Sequence, residues 1–242
     1  MTASRSTSDS PNLTTASSGG RRLLSALSAR QLLVAPSILS ADFARLADDC
    51  VCALEAGGDL LHVDVMDGHF VPNLSMGPAI CAALHAALPD AILDVHLMVS
   101  NPHEYIEPFA KAGAGNITFH VEVVDDARPL LRAIRALGVN AGLAMNPDTP
   151  AQALLPYLDE MDVALIMSVH PGFSGQKFLA SVLPKTAAIR AAAPAHVRVE
   201  MDGGVNAQSA KSCIAAGCDL LVAATAIFAQ KDYAAAIREL RG

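Results

Sequence analysis

Short apolar runs rich in Val, Ile and Leu alternate with periodic, alanine-rich stretches from residue 31 onward. Runs of this length predict buried strands, and the apolar spacing between them is typical of amphipathic helices. Several helical stretches end in a glycine before the next strand, a common way for a helix to end. Eight strands are predicted, over residues 32–37, 59–65, 91–99, 116–121, 140–144, 163–169, 196–201 and 220–224.

Strands separated by helices pair in parallel through right-handed crossovers. Eight such units within residues 31–242 fit a single (β/α)8 TIM barrel better than an open doubly wound sheet. No Gly-x-Gly-x-x-Gly motif follows the first strand, which argues against dinucleotide binding. The predicted fold class is therefore α/β, with one barrel domain over residues 31–242.

The first thirty residues have a different composition, with twelve Ser or Thr, four Arg and one acidic residue, Asp9. This composition predicts a disordered N-terminal extension, and a transit peptide is the alternative. A chain that begins near Gln31 is expected to keep its turnover and its melting temperature. The expected location is cytoplasmic, or plastid if residues 1–30 are a transit peptide.

Composition and charge narrow the function classes. Apolar residues make up 52% of the chain and charged residues 17%, which excludes disorder as the global state. The net charge of −7 argues against nucleic acid and anionic membranes as partners. The apolar stretches are too short to span a membrane. A small anion remains possible, because backbone N–H groups bind phosphate without any Lys or Arg.

Polar residues interrupt three predicted strands near their carboxyl ends, where a barrel carries its active site. His62 and Asp64 lie two residues apart on the second strand, His96 lies on the third, and Asp202 ends the seventh. A single strand histidine is more often a hydrogen-bonded core residue, and an Asp before Gly-Gly more often forms a turn. Two imidazoles and two carboxylates at one barrel mouth instead favour a divalent transition metal.

Three further segments reach the same end of the predicted barrel. Phosphate commonly binds in barrels near the loops after strands seven and eight and a helix N-terminus. Backbone N–H groups and a helix dipole can hold a sugar phosphate in an acidic protein. The segments are Pro171-Gly172-Phe173-Ser174-Gly175-Gln176, Asp202-Gly203-Gly204-Val205-Asn206 and Ala223-Ala224-Thr225.

With these segments, the chain closely resembles the ribulose-phosphate 3-epimerase family over residues 35 to about 228. The resemblance implies a (β/α)8 barrel and a metal-dependent isomerase of the pentose phosphate pathway, which inverts C3 between D-ribulose 5-phosphate and D-xylulose 5-phosphate. It also implies a homo-oligomer, either a dimer or a hexamer. Other blocks that carry it are Ala35-Pro36-Ser37-Ile38-Leu39-Ser40, His62-Val63-Asp64-Val65-Met66-Asp67-Gly68, Asp94-Val95-His96-Leu97-Met98, Thr118-Phe119-His120-Val121-Glu122 and Asn146-Pro147-Asp148-Thr149-Pro150.

The resemblance also implies the role of each site residue. It places one divalent metal on His62, Asp64, His96 and Asp202, and makes Asp64 and Asp202 the acid–base pair. Zn, Fe(II), Mn and Co all suit such ligands. Methionines are expected to line the pocket, namely Met66, Met98 and Met145. Substrate contacts are expected from Ser37, His96, Gly172, Phe173, Ser174, Gly175, Asp202, Gly203, Gly204, Ala224 and Thr225.

The chain departs from the family pattern in three places. His170 stands where the family usually has Asn, Ser174 where it has Gly, and Ala224-Thr225 where it has Gly-Ser. Thr225 keeps a hydroxyl for phosphate, whereas Ala224 adds a methyl where backbone would approach the anion.

Three alternatives stay open. The first is the same chemistry on a ketohexose phosphate such as allulose 6-phosphate. The second is a decarboxylase or aldolase of the same barrel group, although the related decarboxylases rely on an Asp-x-Lys-x-x-Asp pattern that the third strand lacks. The third is a non-catalytic protein that binds metal or sugar phosphate.

Overall fold

The computed structural model describes residues 23–28 and 31–242. Eight strands alternate with helices along this part of the chain, as the apolar periodicity predicts. They pair in parallel in the order β1-β8-β7-β6-β5-β4-β3-β2. The strands are β1 (Leu33–Pro36), β2 (Leu61–Met66), β3 (Leu93–Met98), β4 (Asn116–His120), β5 (Asn140–Met145), β6 (Val163–Met167), β7 (Arg198–Asp202) and β8 (Leu220–Ala223).

The first and last strands of this order close on one another. Ser37, just after β1, forms an isolated parallel bridge with His62 on β2. The backbone N–H of Asp59 also donates to the carbonyl of Val34, at 2.9 Å. The sheet is therefore a nearly closed barrel, and the predicted fold class is confirmed.

Helices cover the outside of the barrel. Four of the predicted helix-ending glycines, at positions 57, 113, 138 and 217, have positive φ angles. Only 3-10 turns, Ala151–Ala153 and Leu155–Tyr157, join β5 to β6, where three prolines interrupt the chain. The helices are α1 (Leu46–Glu55), α2 (Pro78–Ala87), α3 (Ile106–Lys111), α4 (Arg128–Ala136), α5 (Leu183–Ala192), α6 (Ala207–Ala215), α7 (Thr225–Phe228) and α8 (Tyr233–Arg241).

Alternation along each strand divides the core into two parts. On β2, Leu61, Val63 and Val65 belong to the large apolar cluster between the strands and the helices. The intervening residues His62 and Asp64 point into the barrel, where both are buried. One strand thus supplies a packing face and a chemical face.

The amino end of the barrel is closed by residues 23–28. Leu24 is only 2% exposed and packs in a cluster with inward-facing leucines such as Leu33 and Leu220. The guanidinium of Arg198, at the start of β7, donates to the carbonyls of Ser28 (2.6 Å) and Gln31 (3.0 Å). These contacts tie the segment to the barrel.

Residues 23–28 belong to the expected extension, so their packing shifts the start of the ordered domain toward the N-terminus. A short amphipathic segment before the first strand carries too few residues for a periodic signal, which is why composition alone assigned it to the extension. The expected disorder or transit peptide otherwise falls on residues 1–22 and 29–30, which lie outside the described part of the chain. Within the described residues, no helix combines the length and apolarity needed to cross a bilayer.

Candidate active site

The carboxyl ends of β2, β3 and β7 bring the four predicted metal-binding side chains together. His62, Asp64, His96 and Asp202 each offer one nitrogen or oxygen atom, and these four atoms all lie within 4.8 Å of one another. Parallel pairing produces this arrangement, because the register of β2 and β3 sets Asp64 beside His96. The predicted convergence at one barrel mouth is therefore found.

The carboxylate of Asp64 is the centre of this cluster. Its Oδ1 lies 3.2 Å from His62 Nε2 and 3.2 Å from His96 Nδ1. Its Oδ2 accepts a hydrogen bond from the hydroxyl of Ser37 at 2.6 Å. Burial alone would raise the pKa of Asp64, but the two histidines hold it well below its ordinary value. Asp64 is therefore ionised.

The pKa of Asp202 is shifted in the opposite direction. Burial, and then the nearby charge of Asp64, raise the pKa of Asp202 to about 7. Its Oδ2 lies 3.7 Å from His96 Nδ1. Two carboxyl groups in one site thus differ in their readiness to hold a proton, which is the arrangement expected of an acid and a base.

The cluster fits a divalent cation. His62 Nε2 is buried and has no hydrogen-bond partner, although it faces Asp64. Burial by itself would lower the pKa of His62, yet Asp64 and Asp94 raise it well above its ordinary value. The position therefore favours a positive charge. Burial lowers the pKa of His96 to about 4, so this ring is neutral and has a lone pair to offer a metal.

A second polar group lies beneath the cluster, deeper in the barrel. His62 Nδ1 is 2.8 Å from Asp94 Oδ2 and 3.3 Å from Glu200 Oε1. Asn116 also donates to Asp94, at 2.6 Å. Burial and the charge of Asp94 raise the pKa of Glu200 well above its ordinary value. These partners fix the orientation of His62, as residues behind a metal ligand commonly do.

Reasoning from the sequence assigned no role to Asp94 or Glu200. The signal was present, because each lies two residues before a predicted ligand on the same strand and so shares its inward face. Extending the two-residue period of the strand from each predicted ligand toward the start of its strand would have found both residues.

A cavity opens above the cluster. Asp64 and Asp202 line it, whereas His62 and His96 lie below its floor. The expected substrate contact from His96 therefore has no direct surface in this cavity. The other predicted contact residues do line it, namely Ser37, Gly172, Phe173, Ser174, Gly175, Gly203, Gly204, Ala224 and Thr225.

One predicted pocket methionine requires correction. Met66 and Met98 line the cavity, but Met145 points out of the barrel into the strand–helix core. Met145 pairs with Ile166, another outward residue, because inward and outward positions alternate along β5. The third methionine at the cavity is Met167, at the inward-facing end of β6. Met167 lies two residues after the inward-facing Leu165, so strand alternation in the sequence could have predicted that it also faces inward.

The glycines after β7 hold the β6 loop, defined here as residues 169–179, against the site. Gly203 and Gly204 both have positive φ angles. A Cβ on Gly204 would lie 2.6 Å from the backbone nitrogen of Phe178 and 2.7 Å from the carbonyl oxygen of Gln176. Close approach of two backbones therefore requires glycine, and it places the β6 and β7 loops on one side of the cavity.

The family departures have different structural consequences. The side chain of His170 is exposed and lies 3.8 Å from Asp148 on the neighbouring loop, outside the cavity. Ser174 and Ala224 do line the cavity. His170 in place of the usual Asn therefore leaves the cavity wall unchanged. Ser174 and Ala224, in place of glycines, change the surface of that wall.

Comparison with known proteins identifies the family. The sequence model of the ribulose-phosphate 3 epimerase family matches residues 33–228. The chain belongs to this family. It is 46% identical over 213 residues to the ribulose-phosphate 3-epimerase of Bacillus subtilis, covering 86% of this chain and 98% of that one. It is 46% identical over 215 residues to the Escherichia coli K12 protein of the same name, covering 88% and 96%.

Solved structures with lower sequence identity share the fold of this epimerase-family chain. A 3-hexulose-6-phosphate synthase superposes with a TM-score of 0.62 at 21% identity, covering 87% of this chain and 98% of that one. A thiamine phosphate pyrophosphorylase from Pyrococcus furiosus gives a TM-score of 0.59 at 16% identity, covering 88% and 94%. At these identities, the likeness concerns the barrel alone.

Proposed function

We propose that this chain is a ribulose-phosphate 3-epimerase, which interconverts D-ribulose 5-phosphate and D-xylulose 5-phosphate by inverting C3. The observation that carries the proposal is the pair of carboxyl groups, Asp64 from β2 and Asp202 from β7, at the floor of one cavity. Inversion needs one group to remove the C3 proton and another to return a proton to the opposite face. Relatives that bear this name at 46% identity support it.

The two carboxyl groups have separate tasks. Asp64 is ionised and receives the C3 proton of one epimer, while the hydroxyl of Ser37 stabilises its charge. Asp202, from β7, donates the proton that completes the inversion. In the reverse direction the roles exchange, because the same transition state is crossed from the other side. The intermediate between the two transfers is an enediolate.

His62, Asp64, His96 and Asp202 would hold the divalent metal of the family. When bound, the metal supplies a Lewis acid that stabilises the negative charge of the enediolate. Asp94 orients the His62 ring, and the cavity methionines exclude water around the reacting carbon. Two nitrogen and two oxygen ligands suit Zn, Fe(II), Mn or Co, and metal analysis of the purified protein distinguishes them.

The phosphate of the substrate binds to backbone N–H groups at the far side of the cavity. Three segments line this side, at residues 172–175, 203–204 and 224–225. Among the described residues that line the cavity, none is Lys or Arg. Backbone donors and the hydroxyl of Thr225 therefore supply the recognition, which is compatible with an acidic protein.

We also propose a cytoplasmic location and a homo-oligomeric state, a dimer or a hexamer. A sugar phosphate is charged, so the enzyme that acts on it is expected in the compartment where this metabolite is made. Light scattering of the purified full chain tests the assembly. Fractionation of the producing cells tests the location, with the plastid as the alternative.

The test of the function is a coupled assay of the purified full chain on D-ribulose 5-phosphate, with and without a chelator. We expect turnover that falls on metal removal and returns when metal is added. The same assay on allulose 6-phosphate should be slower, and a faster reaction there would reassign the substrate. Metal and phosphate binding with no exchange of the C3 proton would identify a binding protein.

Variants of the two acids test the mechanism. Asp64→Asn and Asp202→Asn should each lower epimerisation by about 10²–10⁴-fold. If metal content stays at the wild-type level, each variant should still exchange the C3 proton of one epimer with deuterated solvent, and the two variants should prefer opposite epimers. Asp125→Asn, an exposed control, should behave as wild type. Near wild-type turnover in either metal-loaded site variant would refute the two-carboxyl mechanism.

A further inference from the structure

The loop after β2, residues 67–77 (the β2 loop), touches the β6 loop at the cavity wall. The side-chain amide of Asn73 donates from Nδ2 to the carbonyl of Gly172 at 2.7 Å. A Cβ on Gly172 would lie 3.6 Å from Val71 Cβ and 3.8 Å from Pro72 Cδ, so the two loops are in van der Waals contact here. Asn73 itself does not line the cavity, and the mechanism above gives it no task.

The amide of Asn73 can face only one way. Its Oδ1 accepts from the backbone N–H of Leu74 at 2.9 Å, while Nδ2 faces the Gly172 carbonyl. A backbone N–H only donates and a carbonyl only accepts, so turning the amide around would break both contacts. Among side chains of this size, aspartate has no donor for Gly172 and leucine has neither group. Asparagine therefore suits both partners.

The β2 loop gives this contact a rigid base. Asp67, the first residue of the loop, accepts at Oδ1 from the backbone N–H groups of His69 and Phe70, at 2.8 Å each. Its Oδ2 accepts from the backbone N–H of Ser100 after β3, at 2.7 Å. Val71 is only 3% exposed and packs against the methionines of β2 and β3 that line the cavity. The loop is thus fixed to the barrel before it reaches the β6 loop.

The tip of the β6 loop, residues 172–175, has little support of its own. It begins and ends with glycines that have positive φ angles, and glycine has the widest conformational range of any residue. Gln176 Nε2 donates to the carbonyls of His170 (2.7 Å) and Phe173 (3.0 Å), but these hydrogen bonds lie within the loop itself. Asn73 supplies a hydrogen bond from outside the loop, at the first residue of the tip.

We propose that Asn73 is a positioning residue, which holds residues 172–175 where they bind the phosphate of the substrate. The inference rests on the proposed function, because it takes this segment as part of the phosphate site. A loop that is already held in its binding position loses less conformational freedom when the ligand arrives, so the ligand binds more tightly. Asp64 and Asn73 belong to one strand and its loop, so the same stretch of chain serves the reacting end and the phosphate end of the cavity.

The test is Asn73→Leu, which keeps the approximate size of the side chain and removes both hydrogen bonds. Loss of one such bond should raise KM for D-ribulose 5-phosphate about three- to tenfold. We expect kcat to stay near the wild-type value, because Asn73 touches none of the reacting groups. This split between KM and kcat distinguishes a role in phosphate binding from general damage to the site.

Two further variants control the measurement. Asn101→Leu removes the amide of an exposed asparagine that donates to Glu104, and it should keep the wild-type KM. Asn73→Asp keeps an acceptor for Leu74 and removes only the donor to Gly172, so it should also raise KM. The rise should persist relative to wild type in about 1 M salt, which screens the added charge. A wild-type KM in Asn73→Asp would overturn the inference, because the contact with Gly172 would then have no effect.

Binding of D-ribitol 5-phosphate supplies a second readout that needs no turnover, because this phosphate ester has no carbonyl and cannot be epimerised. Its Kd, measured by calorimetry, should rise in Asn73→Leu by the same factor as KM. An unchanged Kd in the folded variant, or a lower kcat at wild-type KM, would overturn the inference. Should Asn73→Leu fail to fold, Asn73→Asp serves for both measurements.

The same two readouts separate this inference from the proposed function. A weaker Kd in Asn73→Leu, in a protein whose wild type has no epimerase activity, would leave the inference standing and refute the proposed function. Normal wild-type turnover with an unchanged Kd in Asn73→Leu would do the reverse. A wild-type protein that neither turns over D-ribulose 5-phosphate nor binds D-ribitol 5-phosphate would overturn both.

Discussion

The two ends of the barrel are built from the same eight strands, yet they have opposite chemistry. At the carboxyl end, the inward side chains are histidines, carboxylates and a serine around a cavity. At the amino end, they are aliphatic residues such as Leu33 and Leu220, and Leu24 closes the opening. Charged groups at one end require partners or a bound cation, whereas aliphatic groups at the other need only close packing.

The difference separates function from stability within one molecule. Changes at the carboxyl end should alter metal binding and catalysis with smaller effects on folding. Changes at the amino end should alter the free energy of unfolding and leave catalysis alone. Four variants test this division.

His96→Ala has the largest expected effect. Removal of one of two imidazole ligands should release most of the metal and lower turnover by about 10³-fold or more. The barrel should still fold, as circular dichroism would report, while elemental analysis measures the metal. His103→Ala, at an exposed histidine, is the matched control and should retain both metal and activity. Full activity in a metal-free His96→Ala protein would end the assignment of a metal site.

Gly204→Ala should act on substrate binding. Gly204 and Gly138 have nearly equal φ angles, 65° and 71°, so alanine strains both backbones similarly. An added Cβ meets the β6 loop at Gly204, whereas nothing lies within 4 Å of it at Gly138. We expect KM for the sugar phosphate to rise about tenfold only in Gly204→Ala, with about 1–2 kcal/mol lost to strain in both. Equal KM values would show that the β6 loop does not shape the phosphate site.

Leu24→Ala should act on stability alone. Truncation of a buried leucine costs about 2–3 kcal/mol, which lowers the melting temperature by roughly 4–10 °C in a chain of this size. Removal of residues 1–30 should have a similar effect, contrary to the expectation from composition. Turnover at 25 °C should not change in either protein. Leu137→Ala, at a partly exposed leucine, is the control, and an unaltered melting temperature in Leu24→Ala would show that the segment does not stabilise the barrel.

Glu122 gives the smallest effect, and it depends on pH. Burial would raise the pKa of Glu122, but hydrogen bonds from His120, Asn146 and Thr149 lower it from 4.5 to about 2. A depressed carboxyl pKa stabilises the fold above pH 4.5, and that contribution is lost as pH falls toward 2. Urea unfolding should show that Glu122→Gln is less stable than wild type at pH 7, and that the difference in unfolding free energy is smaller at pH 3.5. A difference that does not change with pH would contradict the lowered pKa of Glu122.

Much of the site could be predicted because strand alternation is visible in the sequence. His62 and Asp64, two residues apart, share a face wherever the strand goes, and their partners follow the same rule on β3 and β7. The family resemblance did not follow this rule at Met145, which it placed at the pocket. Alternation along β5 turns Met145 outward, and the structure places Met167 at the cavity instead.

The sequence by itself determined the barrel, the family and the four candidate metal ligands, because periodicity and motif spacing are local properties of the chain. Only the tertiary structure decided that Glu122 meets the loop after β5 (residues 146–150), that Lys185 holds this loop from α5, and that Leu24 closes the amino end. These contacts join residues that are 24 to nearly 200 positions apart. Their formation depends on closure of the barrel, which brings distant backbone groups within hydrogen-bonding distance and leaves no periodic trace in the sequence.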